Sequence, residues 1–455
     1  MDILNINKLA LDLVAKDFSD GHTPTNVGPT KTARALAIIH LAARDAYAMV
    51  TGTYAAKLAG LPAKPAGLGN GDDIGTSAVI GAGIRACTLL YPDFSAFINE
   101  QAIIIGSGTS AEAMTYGCKI AEKWMASRQN DGSSLPQTDS MYSNAPGHHR
   151  PDPVSKSPTF GRTWGQCPPF ILTNVATETP LIPPFALDSA EYAKAFDDVF
   201  VNGRDNITQR LPKYQHQALV GIFWGYDGTN KLGTPPRLYN QIVVQCNDFK
   251  NLINSAKINV LAAINAAMAD AGIAAWYWKY VYDFWRPVVA IREAEAGFGP
   301  GMPKPGDGNT HRTHKGDPFW KPLGAPRSNP DKPARMGDPL LPLKAGADGD
   351  NFTPNFPAYP SGHASFGTAC FETLAGLVKK KTTDISVTFV SDEFNGMTSD
   401  NTGTIRPLWE QTFTLAEAIE QNKVSRIYLG VHWSFDAEGG ATVGHKVAEK
   451  VVAAF

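Results

Sequence analysis

The stretch Phe356-Pro357-Ala358-Tyr359-Pro360-Ser361-Gly362-His363 runs directly into an apolar segment from Ala364 to Leu374. The apolar segment predicts a helix, and Ser361 and Gly362 suit a tight turn in which backbone N–H groups face outward. A helix N-terminus attracts anions because its first N–H groups have no partner within the helix. The stretch therefore predicts an anion site at the start of a helix, with a histidine beside it.

Two further stretches supply positive charge, one with Lys279 and Arg286 and one with Arg426. Arginine presents a planar fork of donors that matches an oxyanion, and lysine adds a compact charge. Lys279 and Arg286 are seven residues apart, or about two helical turns. We therefore expect them on one face of a helix over 276–292, which Pro287 kinks or ends.

The last stretch also carries His432 and Asp436, which are four residues apart. At this spacing a carboxylate can accept a hydrogen bond from one ring nitrogen and fix the tautomer of the histidine. Arg426 and His432 are six residues apart and do not share a continuous helical face. We therefore expect a helix to end at Gly430, with His432 in the corner before the next helix. Together the three stretches predict a site for a tetrahedral oxyanion, phosphate or vanadate.

The three stretches, in this order and with this spacing, resemble the signature of the superfamily that joins type 2 phosphatidic acid phosphatases and vanadium-dependent haloperoxidases. The flanking sequence looks like the vanadium chloroperoxidase branch. The similarity runs from about residue 28 to the end, with residues 132–184 matched poorly. The segments that carry it include Phe356–Ala364, Ser425–Trp433, Tyr226–Gly228, Gly233–Arg237 and Gly316–Trp320.

The resemblance implies an all-α protein built from two four-helix bundles, one over residues 1–210 and one over 211–455, with the active site in the second. Apolar spacing independently predicts a mainly helical chain, with residues 385–390 as the best strand. The Pro/Gly-rich regions 135–184 and 297–360 contain aromatic residues and are predicted to form ordered loops over a site. Helices are predicted at Thr32–Val50, Ile80–Leu90, Ala111–Ser127, Ser189–Val201, Val243–Ala271, Ala364–Lys379 and Leu415–Leu429.

The resemblance also implies a role for each site residue around one vanadate per chain. His432 would be the metal ligand, His363 the acid–base group, and Lys279 a catalytic cation that polarises bound peroxide. Asp227 and Asp436 would support the site by pairing with Arg426 and His432. Trp276 and Phe356 would form the halide pocket. The implied vanadate-binding residues are Lys279, Arg286, Ser361, Gly362, His363, Arg426 and His432.

Three functions fit these residues. The first is a haloperoxidase that oxidises chloride or bromide with hydrogen peroxide to hypohalous acid, which then halogenates an organic acceptor. The chloroperoxidase type has phenylalanine at the position of Phe356, which favours chloride. The second is an acid phosphatase in which His432 forms a phosphohistidine and His363 protonates the leaving group. The third is a non-catalytic oxyanion-binding protein, against which the presence of His363 argues.

Composition sets the remaining expectations. A net charge of -2 over 455 residues argues against a nucleic-acid partner. The absence of an uninterrupted apolar run of membrane-spanning length, and of a secretory signal in residues 1–20, predicts a soluble protein with no membrane span, cytoplasmic by default. The five cysteines are predicted to be separate thiols. His148-His149 and His311 with His314 are predicted to be solvated loop residues.

Overall fold

Helices joined by long loops make up most of the described chain. The computed structural model describes residues 3–19, 21–153, 156–205, 212–295, 297–301, 311–330 and 351–455. Within these ranges the all-α class is confirmed, because the four strands are short. The helices are α1 Leu4–Asp17, α2 Gly28–Thr51, α3 Asp72–Leu90, α4 Ser95–Ile105, α5 Ala111–Ser127, α6 Val175–Glu178, α7 Ala190–Asn202, α8 Pro212–Phe223, α9 Pro235–Gln245, α10 Asn247–Lys250, α11 Asn254–Tyr282, α12 Pro287–Arg292, α13 Gly362–Leu377, α14 Leu415–Tyr428 and α15 Ser434–Ala454.

The strands form two antiparallel pairs. Strand β1 (Thr138–Asp139) pairs with β2 (Thr159–Phe160) in the first Pro/Gly-rich region. Strand β3 (Ser386–Val390), which confirms the predicted strand, pairs with β4 (Glu410–Thr414). Both sheets lie in connections between helices, and the second adds Val387, Phe389 and Phe413 to the apolar core.

Six of the seven predicted helices are present, Ala111–Ser127 with the predicted bounds and the other five with shifted ends, but the predicted helix Val243–Ala271 is wrong. The chain there forms three helices, because Cys246 is extended (φ -62°, ψ 131°) and a second break precedes α11. Asn247, Asp248 and Asn251 lie at these breaks, and residues with short polar side chains have low helix propensity.

The predicted helix over 276–292 is also wrong, and its break shapes the site. Helix α11 ends at Tyr282, and Asp283 adopts the left-handed conformation (φ 49°). Arg286 is extended, and Pro287 begins α12 instead of ending a helix. A residue before proline avoids the helical region, and proline suits the first position of a helix. Lys279 and Arg286 thus come from different elements.

Helix α11 is the centre of the molecule. Every residue from Ile258 to Trp276 is buried, and α11 packs against α2 on one side and α13 on the other. Helix α13 in turn packs closely on α15. A Cβ atom at Gly440 in α15 would lie 2.4 Å from the carbonyl oxygen of Ser361, so only glycine allows this approach. One continuous apolar core therefore joins both halves of the chain.

Two helices are long and apolar enough to cross a membrane by length and composition, but both lie in the protein core. The most apolar window of α11 is fully buried, and that of α3 is 67% buried. Such burial is expected of core helices and gives no clear membrane span. The predicted boundary between residues 210 and 211 lies outside the described residues, so the division into 1–210 and 211–455 stays a prediction.

The described parts of the two Pro/Gly-rich regions contact each other. The backbone N–H of Phe160, in the first region, donates to the carbonyl of Asn355, in the second, at 2.8 Å. Within the first region, the backbone N–H of Gly161 donates to the carbonyl of Gln137. These contacts place both regions over the start of α13. Phe319 is an exception among their aromatic residues, since it is 84% exposed.

Candidate active site

A cavity of about 620 Å³ opens over the start of α13. One end of its wall contains seven of the predicted site residues: Asp227, Trp276, Phe356, Gly362, His363, Arg426 and His432. Lys279, Arg286, Ser361 and Asp436 are buried directly behind this end and bond to residues of the wall or of the loop before it. The fold thus brings all of the predicted site residues together.

His432 lies in the corner between α14 and α15, and its two ring nitrogens have different partners. Nδ1 lies 2.9 Å from a carboxylate oxygen of Asp436, and Nε2 lies 2.9 Å from Nη1 of Arg286. Burial, and then the charge of Arg286, lowers the pKa of His432 well below its usual value. The ring is therefore neutral, with its proton on Nδ1 and the lone pair of Nε2 facing the guanidinium group. Such a nitrogen can act as a ligand or nucleophile.

Asp436 is held at the first turn of α15. The oxygen that accepts from His432 also accepts from the backbone N–H of Trp433 at 2.9 Å. Burial raises the pKa of Asp436 to about 7, although the Trp433 N–H and the charge of Lys279 act in the opposite direction. Its position fixes the tautomer of His432.

Arg286 is almost completely buried and joins three loops of the site. Its Nε donates to the carbonyl of Phe356 at 2.9 Å, and Nη1 donates to the carbonyl of Val431 at 2.7 Å as well as to His432. Burial, which outweighs the charge of Asp436, lowers the pKa of Arg286 to about 9. Its Nη2 is buried and has no hydrogen-bond partner among the described residues.

Arg426 is oriented by Asp227. Both terminal nitrogens of Arg426 donate to the two oxygens of Asp227, at 3.1 Å and 2.9 Å. This two-point pairing fixes the plane of the guanidinium group. The remaining nitrogen, Nε, is buried without a partner in the part of the chain that the structure describes.

Ser361 precedes the first residue of α13, as the sequence predicts. Its backbone N–H donates to the carbonyl of Asp436 at 2.8 Å, which ties the start of α13 to α15. Its hydroxyl is buried and also lacks a partner among the residues described.

The unpaired donors fit an oxyanion. Arg286 Nη2, Ser361 Oγ and Arg426 Nε belong to three different elements, and each unsatisfied buried donor costs about 1–3 kcal/mol. Positive charge, a helix N-terminus and a neutral histidine adjoin them. Vanadate and phosphate present enough oxygens and negative charge to satisfy this set. Arg286, Ser361, Gly362 and Arg426 would hold such an anion, with His432 as its ligand or nucleophile.

Lys279 differs from its expected role. Its Nζ donates to the carbonyls of Pro357, Ala358 and Pro360, at 2.7, 3.1 and 2.5 Å. Burial lowers the pKa of Lys279 well below its usual value, yet three carbonyl acceptors require the three N–H groups of the ammonium form. In this arrangement Lys279 anchors the loop before Ser361, and it has no N–H left for an oxyanion unless one carbonyl is released.

His363 lies in the cavity wall, in the first turn of α13. Its Nε2 donates to the carbonyl of Gly225 at 2.9 Å and lies 3.7 Å from Asp227. Burial, together with the charge of Arg426, lowers the pKa of His363 to about 4. Nδ1 has no hydrogen-bond partner among the described residues. A neutral ring with a free nitrogen at a cavity can accept a proton.

Trp276 and Phe356 pack together at the same end of the cavity, with ring centroids 4.8 Å apart. The ring of Phe356 also lies 4.9 Å from the guanidinium carbon of Arg286 and 5.1 Å from Nζ of Lys279. An apolar wall beside two cations suits a poorly hydrated anion.

The burial of His149 was not predicted from the sequence. The sequence predicts a solvated loop residue, but His149 is 2% exposed, and its backbone N–H donates to the carbonyl of Asp283. Burial, and then the charges of Arg286 and Lys279, lowers its pKa well below the usual value. The burial of His149 depends on its pairing with Asp283, in the break after α11, and no local sequence pattern indicates this pairing. His148 is half exposed and pairs with Asp283, while His314 pairs with Asp197.

A metal ion held only by protein side chains needs several His, Cys, Asp or Glu residues close together. No group of three or more His, Cys, Asp or Glu residues with metal-binding geometry occurs within the described ranges. All five cysteines are free thiols, as predicted.

Comparisons with known proteins agree with the site. The family model for the VCPO second helical-bundle domain matches residues 259–455. Vanadium chloroperoxidase of Curvularia inaequalis is 29% identical over 520 aligned positions, which cover 96% of this chain and 79% of that protein. A bacterial vanadium-dependent iodoperoxidase has a TM-score of 0.71 at 20% identity, covering 100% of this chain and 97% of that one. A bacterial vanadium-dependent chloroperoxidase in its holo form has a TM-score of 0.64 at 16% identity, covering 95% and 94%. The resemblance drawn from the three stretches is confirmed: residues 259–455 match the family model for the VCPO second helical-bundle domain, and the similar proteins named above are vanadium haloperoxidases.

Proposed function

We propose that this protein is a vanadate-dependent haloperoxidase, which uses hydrogen peroxide to oxidise a halide to hypohalous acid. The observation that carries the proposal is the convergence of three unpaired buried donors, on Arg286, Ser361 and Arg426, around a neutral His432. The family relationship supplies the choice of vanadate over other oxyanions.

Vanadate, one per chain, would supply a Lewis acid that activates hydrogen peroxide toward halide without a change in oxidation state. The protein groups have separate tasks. Arg286 and Arg426 neutralise the anion, Ser361 and the start of α13 orient it, and Asp436 keeps Nε2 of His432 free of a proton. These groups would together hold the oxyanion in place.

His363 would move the proton of the reaction. Its free Nδ1 lies at the cavity wall, and its low pKa keeps the ring neutral at ordinary pH. It can therefore take a proton from hydrogen peroxide that enters through the cavity. Lys279 would contribute positive charge from behind the wall and hold the Pro357–Pro360 loop in place.

The halide would approach along the Trp276–Phe356 pair. The apolar rings remove water from the anion, and the cations behind Phe356 compensate its charge. Phenylalanine at position 356 favours chloride competence. The similar proteins include chloroperoxidases and an iodoperoxidase, so the test must cover three halides.

The decisive assay is halogenation of a cyclic dione by the vanadate-free protein with hydrogen peroxide and chloride, bromide or iodide, with and without orthovanadate. We expect turnover that requires vanadate and is lost in His432→Ala but kept in His445→Ala, whose ring is 55% exposed and remote from the site. Hydrolysis of p-nitrophenyl phosphate is measured in parallel. Absence of halogenation, with vanadate acting only as an inhibitor of phosphate ester hydrolysis, would establish the phosphatase alternative.

A further inference from the structure

The cavity over the site is larger than the proposed reaction needs. Oxyanion, peroxide and halide have fewer than ten heavy atoms together, and at roughly 30 Å³ each they would fill about 200–300 Å³. The cavity holds about 620 Å³. The remaining space falls in the range of pockets that bind small organic molecules, about 300 Å³ and above.

The part of the cavity away from His363 and His432, called the outer cavity below, is lined by different kinds of residue. Its wall comes largely from the first half of the chain and from the two Pro/Gly-rich regions, and it is mostly apolar. Its main contributors are Phe18, Pro29, Leu135, Phe160, Phe352 and Pro354. Aromatic and proline side chains from separate segments create flat surfaces, which suit a planar ring.

One cation, Lys31, lies in this outer wall. It is partly buried, and no hydrogen bond or ion pair joins it to another residue within the described ranges. It belongs to the first turns of α2, where the positive end of the helix dipole makes a cation unfavourable and where no acidic residue compensates it. The only carboxylate among the described wall residues, Asp227, is already paired with Arg426. Among the described residues of the wall, no carboxylate is therefore free to pair with Lys31.

We propose that the outer cavity binds the organic acceptor, and that this acceptor is an aromatic carboxylate whose anionic group pairs with Lys31. The ring would lie between the aromatic and proline side chains, with its far edge toward His363 and Phe356. The binding step stands without the proposed haloperoxidase activity, whereas the use of the ligand as an acceptor rests on that activity.

Binding at this position has a chemical consequence. Hypohalous acid would transfer its halogen to a ring carbon, the carbon–hydrogen bond would break, and the released proton would combine with hydroxide to give water. A ring held by its carboxylate would be halogenated at one preferred position, whereas free hypohalous acid gives the mixture expected in solution.

Calorimetric titration of the vanadate-free protein tests the binding. The probe is 4-hydroxybenzoate, with neutral 4-hydroxybenzamide of the same shape as comparison, both in excess inorganic phosphate to occupy the oxyanion site. We expect the carboxylate to bind about tenfold more tightly than the amide. Lys31→Gln should remove this difference, while Lys194→Gln, an exposed lysine of α7, should keep it.

Three results would overturn the proposal. The carboxylate and the amide bind equally, neither binds at millimolar concentration, or Lys31→Gln behaves like Lys194→Gln. Displacement of 4-hydroxybenzoate by phosphate would also overturn it, since the ligand would then occupy the oxyanion site. None of these readouts depends on turnover, so a failed haloperoxidase assay and a failed acceptor site give different results.

Discussion

The most informative residues of the site are the donors that lack acceptors. Arg286 Nη2, Ser361 Oγ and Arg426 Nε lie buried in one small region, where water cannot easily satisfy them. Their neighbouring groups are paired: Arg426 with Asp227, and His432 with Asp436. The pairing fixes both side chains, leaves Nε of Arg426 free to donate to a ligand, and leaves a lone pair on Nε2 of His432. Asp227 would orient Arg426 without contacting the oxyanion itself, so its replacement should weaken oxyanion binding strongly.

Asp227→Asn tests this orienting effect. The amide removes the charge that pairs with Arg426 and one of two acceptors for its fork. We expect vanadate affinity to fall about 10–100-fold, the usual effect of losing a group that orients a ligand. Asp205→Asn, on an exposed ion pair with Lys321, is the matched control. Unchanged affinity in Asp227→Asn would show that Arg426 needs no orienting carboxylate.

The pKa of His363 predicts a pH dependence of stability. Burial lowers this pKa from 6.5 to about 4, so between these values the unfolded chain binds a proton at this ring and the folded protein does not. The free energy of unfolding therefore falls as pH drops below 6.5. Between pH 7 and pH 5 the wild type should lose about 2 kcal/mol more than His363→Asn.

Urea unfolding of the vanadate-free protein at the two pH values measures this difference. The exposed His445→Asn should behave as the wild type does. An equal loss in His363→Asn and wild type would mean that the ring is protonated in the folded protein.

For individual residues, the sequence predicts a contact correctly when the two partners are close to each other in the chain. The pairing of His432 with Asp436 is visible from a spacing of four residues. The three carbonyls around Lys279 are not visible, because they depend on how residues 357–360 fold against α11. His149 is missed for the same reason, since its burial depends on pairing with the distant segment around Asp283.

At the scale of elements, breaks between helices position the site. Helix α14 ends at Tyr428, and Gly430 follows in the left-handed conformation (φ 70°), as the sequence predicts. The break after α11 was not predicted, because a regular spacing of Lys279 and Arg286 suggested one helix. The restriction that Pro287 places on Arg286 was the signal that should have separated them. Helix spacing alone therefore predicts which residues converge but not from which direction.

Gly430→Ala tests the importance of the break before His432. Alanine at positive φ costs about 1–2 kcal/mol, and here its Cβ atom would also lie 2.4 Å from the carbonyl oxygen of Gly203. We expect a loss of more than about 3 kcal/mol in the free energy of unfolding, together with weaker vanadate binding.

Gly52→Ala is the matched control for this change. Gly52 ends α2 with φ 72°, and no atom lies within 4 Å of its added Cβ. Only the backbone cost of about 1 kcal/mol should appear there. Equal losses in the two variants would show that the contact between Gly430 and Gly203 is not tight.

For the whole molecule, the shared core is the dominant feature. Helix α11 contacts α2 of the first half and α13 of the second, and the apolar cluster extends from Ile6 to Val451. The resemblance of the sequence to a family predicted the helical class, while composition alone gives only a globular chain. The sequence predicted that residues 135–184 form loops over the site, and Leu135 and Phe160 lie in the cavity wall, whereas the contribution of residues 18 and 27–31 was not predicted.

The shared core predicts cooperative unfolding. Thermal denaturation followed by tryptophan fluorescence and by helical circular dichroism should show one coincident transition. Orthovanadate at 100 times its Kd should stabilise the folded protein by about 2.7 kcal/mol and shift both signals together. Two separate transitions, of which only one responds to vanadate, would show that the halves fold independently.

The most direct test of the oxyanion site is an equilibrium titration of the vanadate-free protein with orthovanadate, in the wild type and in His432→Ala. We expect one vanadate bound per chain in the wild type and binding at least about 100-fold weaker in His432→Ala, because the ligand nitrogen would be lost. Lys194→Gln should bind as the wild type does. No saturable binding in the wild type, or equal affinity in His432→Ala, would contradict the site described for Arg286, Ser361, Arg426 and His432.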